Sequence, residues 1–229
     1  MAAPDHSFMP MKYCQVLLGF KPVDIFLFHG YRSSVNQQSS VARNLNNLGY
    51  NVYACEYIGH GKRKGDNKDI YKSMLEIEKV INSRKNPVVL IGHSIGGAMA
   101  LSIGARNKNV IKVFAVSALN GKIFADKKQF IKMQMMHLER ISDHDKQKLQ
   151  RAMPMEHGFC DMKKKDKFFL IHAKKDSIVP FSEFLLNKEV FCIPTRNTLV
   201  LDISRIGILG HIKTMYDERT FDFIEKHLG

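Results

Sequence analysis

Pro87-Val88-Val89-Leu90-Ile91-Gly92-His93-Ser94-Ile95-Gly96-Gly97 is the stretch whose reading decides the fold. Val88 to Ile91 has no polar face and is mostly β-branched, so it reads as a short strand buried on both sides. It leads straight into a G-x-S-x-G pattern. A small-residue segment follows, from Ala98 to Ala105, with the character of a closely packed helix. Strand, sharp turn and helix then succeed one another with Ser94 at the apex of the turn. A serine in such a turn draws its neighbours' backbones together, and Gly92 and Gly96 omit the side chains that would clash. The helix that begins there offers unpaired N–H groups to an anion beside the hydroxyl.

Working outward, composition bounds the rest. A chain of 229 residues is long enough for a large core, and a single domain over residues 1–229 is expected. Apolar residues at 45% with charged residues at 25% exclude a disordered chain. No apolar run approaches the roughly 20 residues needed to span a bilayer. Met1 to Pro10 lacks a basic head followed by an apolar block, so no secretory signal is read and a cytoplasmic protein is expected. Cys14, Cys55, Cys160 and Cys192 are widely scattered without a C-x-x-C pair. Free thiols are therefore expected, with neither a disulfide framework nor a metal site.

The net charge of +13 comes from small clusters such as Lys62-Arg63-Lys64 and Lys163-Lys164-Lys165. A solvated surface accounts for them, and so would weak attraction to an anionic membrane face or an anionic substrate. They are not interleaved with aromatic residues and belong to no nucleic-acid module, so no nucleic-acid partner is expected.

Along the chain, apolar runs predict strands at Asp24–Phe28, Asn51–Glu56, Val110–Ser117, Lys167–His172 and Thr198–Ile203, with an edge strand within residues 11 to 20. Between them, Val41, Leu45 and Leu48 repeat at helical spacing before Gly49, and Ile70, Met74, Ile77 and Ile81 mark a helix over Asp69 to Ser83. Phe221, Ile224 and Leu228 predict a closing helix. This alternation predicts a mostly parallel sheet covered on both faces. It breaks between Gly121 and Lys167, a charged, methionine-rich stretch in which Phe130, Met133, His137 and Ile141 share a helical stripe. A surface helix pair would explain it. A small cap insertion at about 121–167, with thioethers lining an apolar pocket, is the reading carried forward.

A serine hydroxyl needs a base, and the base needs an orienting group. Of ten histidines, His29, His60 and His93 sit beside glycine in turns near the expected site, where they shape loops. His211 lies after the final strand, flanked by glycines, at the edge where parallel-sheet sites assemble. Among the acids, Asp176 directly follows a strand and precedes a Val-Pro turn, whereas Asp202 lies inside a strand pattern and Glu183 on a helix. The chain order becomes Ser94, Asp176, His211.

That order, the G-H-S-I-G elbow and the earlier Phe28-His29-Gly30-Tyr31 resemble the α/β-hydrolase superfamily. Gly59-His60-Gly61, Ala173 to Pro180 and Gly210-His211 are similar to its G-H-G turn, acid loop and base loop. The likeness extends from about Asp24 to the end and is nearest to the group that includes monoacylglycerol lipases, lysophospholipases and small carboxylesterases. In two respects the chain departs from that pattern: Glu56-Tyr57-Ile58 stands where the family often has an aspartate and an arginine or proline, and the amino-terminal end is short. The resemblance implies a Ser94–His211–Asp176 triad, backbone N–H donors at Tyr31 and Ile95, and a pocket touched by His29, Met133, Met136 and Val179. It implies hydrolysis of a small-molecule acyl ester through an acyl-enzyme with no metal or organic cofactor. Two other readings stay open: a thioesterase or lysophospholipase drawing an anionic substrate to a basic surface, and a non-catalytic binding module on the same fold.

Overall fold

The computed structural model describes residues 9–11, 14–124, 126, 131, 142–154, 165–203 and 208–229. Eight strands form one sheet: β1 (Met9–Met11), β2 (Cys14–Leu17), β3 (Asp24–Phe28), β4 (Asn51–Cys55), β5 (Val88–His93), β6 (Val110–Val116), β7 (Phe168–Ala173) and β8 (Thr198–Leu201). Their spatial order is β1-β2-β4-β3-β5-β6-β7-β8. β2 pairs antiparallel with both β1 and β4, and every other neighbouring pair is parallel. The strand expected within residues 11 to 20 is β2, which joins the parallel sheet beside β4 but is not itself the edge, because β1 pairs with its outer side.

The described helices are α1 (Ser39–Asn47), α2 (Ile70–Asn82), α3 (Ile95–Arg106), α4 (Asp143–Gln150), α5 (Phe181–Val190), α6 (Ile208–Tyr216) and α7 (Glu218–Leu228). Strand residues alternate between two cores, as a period of two requires. Phe26, Phe28, Val88 and Leu90 point to one face, where they meet α2 and α3 through Met74, Ile77, Met99 and Ile103. Ile25, Leu27, Val89 and Ile91 point to the other, against Val41 and Leu45 of α1, Met215 of α6 and Ile224 of α7. Each such side chain contributes about 1.5–3 kcal/mol when fully buried. Two full cores explain why the central strands read as unbroken apolar runs.

From β3 the chain crosses to β4 on one side, then returns past β3 to β5 on the other. The carboxyl ends of β3 and β5 therefore flank the point where strand order reverses, the place where open parallel sheets gather ligands. At the opposite end of β3, the fully buried Asp24 accepts from Arg84 Nε at 2.6 Å and from Asn51 and Asn86 at 3.0 and 2.9 Å. Pairing and hydrogen bonding on every side are what make a buried carboxylate tolerable there.

Three expectations are corrected. Cys14 and Cys55, paired across β2 and β4 in the same register, form a disulfide, and Cys192 is also disulfide-bonded. Among the described residues no cysteine is free. A separation of 41 residues gave no hint of this, because sheet register and not spacing brought the two thiols together. The expected free thiols are withdrawn. His211 lies within helix α6 and not in a loop: Ile208, Ile212 and Met215 set a helical repeat that Gly210 disguised as a turn. Met153, expected with the cap methionines, is buried beside Leu149 and Ala152 in the core shared with α3, where Ser102 Oγ donates to Ala152 O at 2.9 Å. Most of the stretch read as a cap, including Met133 and Met136, lies outside the described residues.

Candidate active site

The turn after β5 is built as its sequence requires. Ser94 has φ 58° and ψ −121°, a left-handed backbone that serine rarely adopts. Its N–H donates to Val116 O at 2.8 Å, anchoring the strained residue to β6. A side chain at Gly92 would run into Gly96 O, and one at Gly96 would run into the carbonyls of Phe28 and His29. The second glycine therefore lets the first turn of α3 press against the end of β3. Gly30 comes to rest on the serine: a Cβ built there would stand 3.5 Å from Ser94 Cβ.

Asp176 follows β7 in a tight turn. Its Oδ1 accepts from Ile178 N at 2.9 Å and Val179 N at 3.0 Å, and its Oδ2 accepts from His211 Nδ1 at 2.7 Å. Burial works to raise the Asp176 pKa, but the hydrogen bond and charge of His211 and the backbone donor at Val179 outweigh it. The result lies well below the usual carboxylate range, so this side chain is ionised near neutrality.

Two further histidines brace the pair. His93 Nε2 donates to His211 O at 3.1 Å, with the two rings 4.5 Å apart. Burial and then the neighbouring His211 push His93 down to about 3, against the opposing pull of its hydrogen bond and Asp176. His172 Nε2 donates to Val179 O at 3.0 Å, and burial brings it down to about 4. Both rings are neutral donors that fix the backbone at His211 and beside Asp176.

A cavity of about 570 Å³ opens onto this rim, lined by Gly30, Tyr31, Arg32, Ser33, Gln37, His93, Ser94, Ile208, His211, Ile212 and Tyr216. Ser94 and His211 thus face one space, although Ser94 Oγ makes no hydrogen bond to His211 among the described residues. One wall is apolar: Ile208, Ile212 and Tyr216, a turn apart along α6, are 40–42% exposed into it. The other is polar, formed by the turn after β3.

Of the residues predicted to form the site, Ser94, His211 and Tyr31 line the cavity, Asp176 backs His211, and Ile95 opens α3. His29 and Val179, expected in the pocket, are fully or almost fully buried and are not among the described lining residues. Their functions are internal: Val179 supports Asp176 and His172, and His29 lies behind the turn. The apolar wall escaped notice because its helix was read as a loop. Arg32 escaped because a charged turn residue looks like ordinary surface. Among the described residues no group of three or more His, Cys, Asp or Glu side chains could hold a metal ion, and no helix is long and apolar enough to cross a membrane.

Known proteins show the same frame. The chain is 25% identical over 114 residues to the monoglyceride lipase homolog of Monkeypox virus, covering 46% of this chain and 41% of that protein. It is 30% identical over 89 residues to human monoglyceride lipase, covering 35% of this chain and 29% of that one. In each case the match spans less than half the length of the relative. The alpha/beta hydrolase domain-containing protein 10 from mouse aligns with a TM-score of 0.72 at 19% identity, over 97% of this chain and 99% of that chain. Est1E from Butyrivibrio proteoclasticus, solved with ferulic acid bound, aligns with a TM-score of 0.67 at 14% identity, over 96% and 98%. These structural likenesses establish the α/β-hydrolase fold. The family model for serine aminopeptidase, S33 (Hydrolase_4), matches residues 23–156, more than half of the chain, and the chain belongs to that family of hydrolases.

Proposed function

We propose that the protein hydrolyses carboxylic esters through a Ser94–His211–Asp176 triad and an acyl-enzyme. The observation that carries this reading is the 2.7 Å bond from His211 Nδ1 to the ionised Asp176, in a wall of the cavity that Ser94 also faces. With Nδ1 protonated and held, Nε2 is the ring atom left to act as base. Ser94 Oγ attacks the acyl carbon as its proton passes to His211 Nε2, and the carbonyl oxygen takes the negative charge. The backbone N–H groups of Tyr31 and Ile95 receive that oxyanion. The bond to the leaving alcohol then breaks as His211 returns the proton to it. Water, deprotonated by His211, attacks the acyl-enzyme and releases the carboxylic acid and free Ser94.

Within this proposal the acyl chain lies along Ile208, Ile212 and Tyr216. Each methylene buried on that wall adds about 0.8 kcal/mol, so activity on nitrophenyl esters should climb with chain length until the wall ends. A fluorophosphonate should label Ser94 in the folded protein, and Ser94→Ala should abolish both labelling and turnover with little change in thermal unfolding. Unlabelled, folded wild type would sink the reading and favour a non-catalytic module.

Arg32 supports a second reading, an anionic acyl substrate of the thioester or lysophospholipid kind. Among the described lining residues it alone carries a permanent charge, and none is acidic. It also holds φ 56°, a conformation that costs a non-glycine residue roughly 1–3 kcal/mol and is usually retained at functional sites. Arg32→Gln should raise KM for an anionic ester while leaving a neutral one unaffected. Equal effects on both would remove this reading.

A further inference from the structure

We propose that His29 and Glu56 are positioning residues that set the oxyanion site, a role that rests on the acyl-transfer reading above. Gly30 O and Tyr31 N–H are the two ends of one trans peptide and point in opposite directions. Whatever grips the oxygen therefore aims the N–H. Gly30 O accepts from His29 Nδ1 at 2.8 Å and from Ser33 N at 3.1 Å. A carbonyl can only accept, so the Nδ1 of His29 carries a proton. The ring is fully buried and has no route to substrate.

The imidazole is itself held in place. Its Nε2 lies 3.1 Å from Glu56 Oε1, within ion-pair range though off the axis of a hydrogen bond. Tyr57 packs on the ring with centroids 4.0 Å apart and donates its hydroxyl to His29 O at 2.9 Å. Glu56 Oε1 also accepts from Val35 N at 3.2 Å. One carboxylate just past β4 thus holds Val35 N and stands against the His29 ring, at the two ends of the segment from His29 to Val35. Gly61 makes room for it, because a Cβ there would collide with the Glu56 carboxyl group. The glutamate that departs from the family pattern is therefore seated in a place shaped for it. A hydrogen bond at the carbonyl end also polarises the peptide and strengthens its N–H as a donor.

An oxyanion exists only after attack, so a donor that is mis-aimed lowers kcat and leaves KM nearly unchanged. Removing one oxyanion donor outright costs about 10²–10³-fold. Loosening one by losing its support should cost less, about 10–10²-fold, below that scale. The test compares His29→Leu, His29→Asn and Glu56→Gln with wild type on a neutral nitrophenyl ester. Inhibition by a trifluoromethyl ketone, which forms a tetrahedral oxyanion on Ser94, is measured alongside, and circular dichroism checks folding. His29→Leu should lose kcat by that factor at constant KM, with the inhibition constant rising in parallel. His29→Asn, whose amide N–H can replace Nδ1–H, should recover most of the loss, and Glu56→Gln should fall between. A folded His29→Leu with full kcat, a loss confined to KM, or an asparagine variant no better than leucine would overturn the proposal. Wild type that neither turns over nor labels would instead overturn the acyl-transfer reading and this role with it.

Discussion

Asp176→Asn is the substitution that isolates orientation from packing. The asparagine is isosteric, and its carbonyl oxygen can keep the bonds from Ile178 N and Val179 N, both near 3 Å. What changes is the group presented to His211. Oδ2 now accepts at 2.7 Å from Nδ1, whereas an amide NH₂ in its place can only donate. His211 must then leave Nδ1 unprotonated and carry its proton on Nε2, so the atom that should take the Ser94 proton already holds one. An exchange of this kind costs about 10⁴-fold in kcat where the geometry is otherwise intact. That loss corresponds to about 5.5 kcal/mol of transition-state stabilisation. Because Asp176 is ionised and buried, removing its charge also removes the attraction for the imidazolium that forms during attack. The assay is kcat on a nitrophenyl ester, with fluorophosphonate labelling rate as a second readout and thermal unfolding as the control for folding. A variant that folds like wild type and keeps kcat within tenfold would refute the assignment of Asp176 and His211 as acid and base.

Two further outcomes follow from the same structure. Removing the Cys14–Cys55 disulfide, which closes a loop of 41 residues, releases chain entropy worth about 4 kcal/mol in the unfolded state; calorimetry on a Cys14→Ala/Cys55→Ala double variant, which leaves the bridge at Cys192 intact, should show unfolding roughly 8–16 °C lower than wild type, and an unchanged midpoint would mean that β2 and β4 hold without it. Acid should destabilise the fold before carboxylates titrate. His93 and His172 bind protons only near 3 and 4 when folded but near 6.5 when unfolded, so the unfolded state takes up more protons and stability falls as pH drops from about 6.5 toward 3. For His172 the full effect is roughly 3 kcal/mol, and Asp176, held low in the fold, adds a loss of the same sign below about pH 4. His172→Gln, which keeps a donor for Val179 O, should flatten the fall in unfolding temperature between pH 7 and 4; an equally steep fall would remove His172 as its source.

What could be read from the sequence was whatever local sterics or a two-residue period impose. The run from Val88 to Ile91 needs two apolar faces wherever it is placed, and Gly92 and Gly96 are demanded by atoms a few residues away or on the adjoining strand end. The turn at Asp176 was legible for a similar reason, since a carboxylate just past a strand caps the backbone N–H groups that follow it. Contacts set by sheet register left no such trace. Cys14 meets Cys55, and His29 meets Glu56, only because β4 lies between β2 and β3. His211 was singled out by its position after the last strand, and its helix was read as a loop because Gly210 resembles a stop signal. The helix has a consequence the loop reading could not supply. It sets Ile208 and Ile212 one turn apart on the side that faces the cavity, with His211 between them. The proposed base and the apolar wall are thereby parts of one helix, so an acyl chain seated against that wall would also be placed in register with the imidazole.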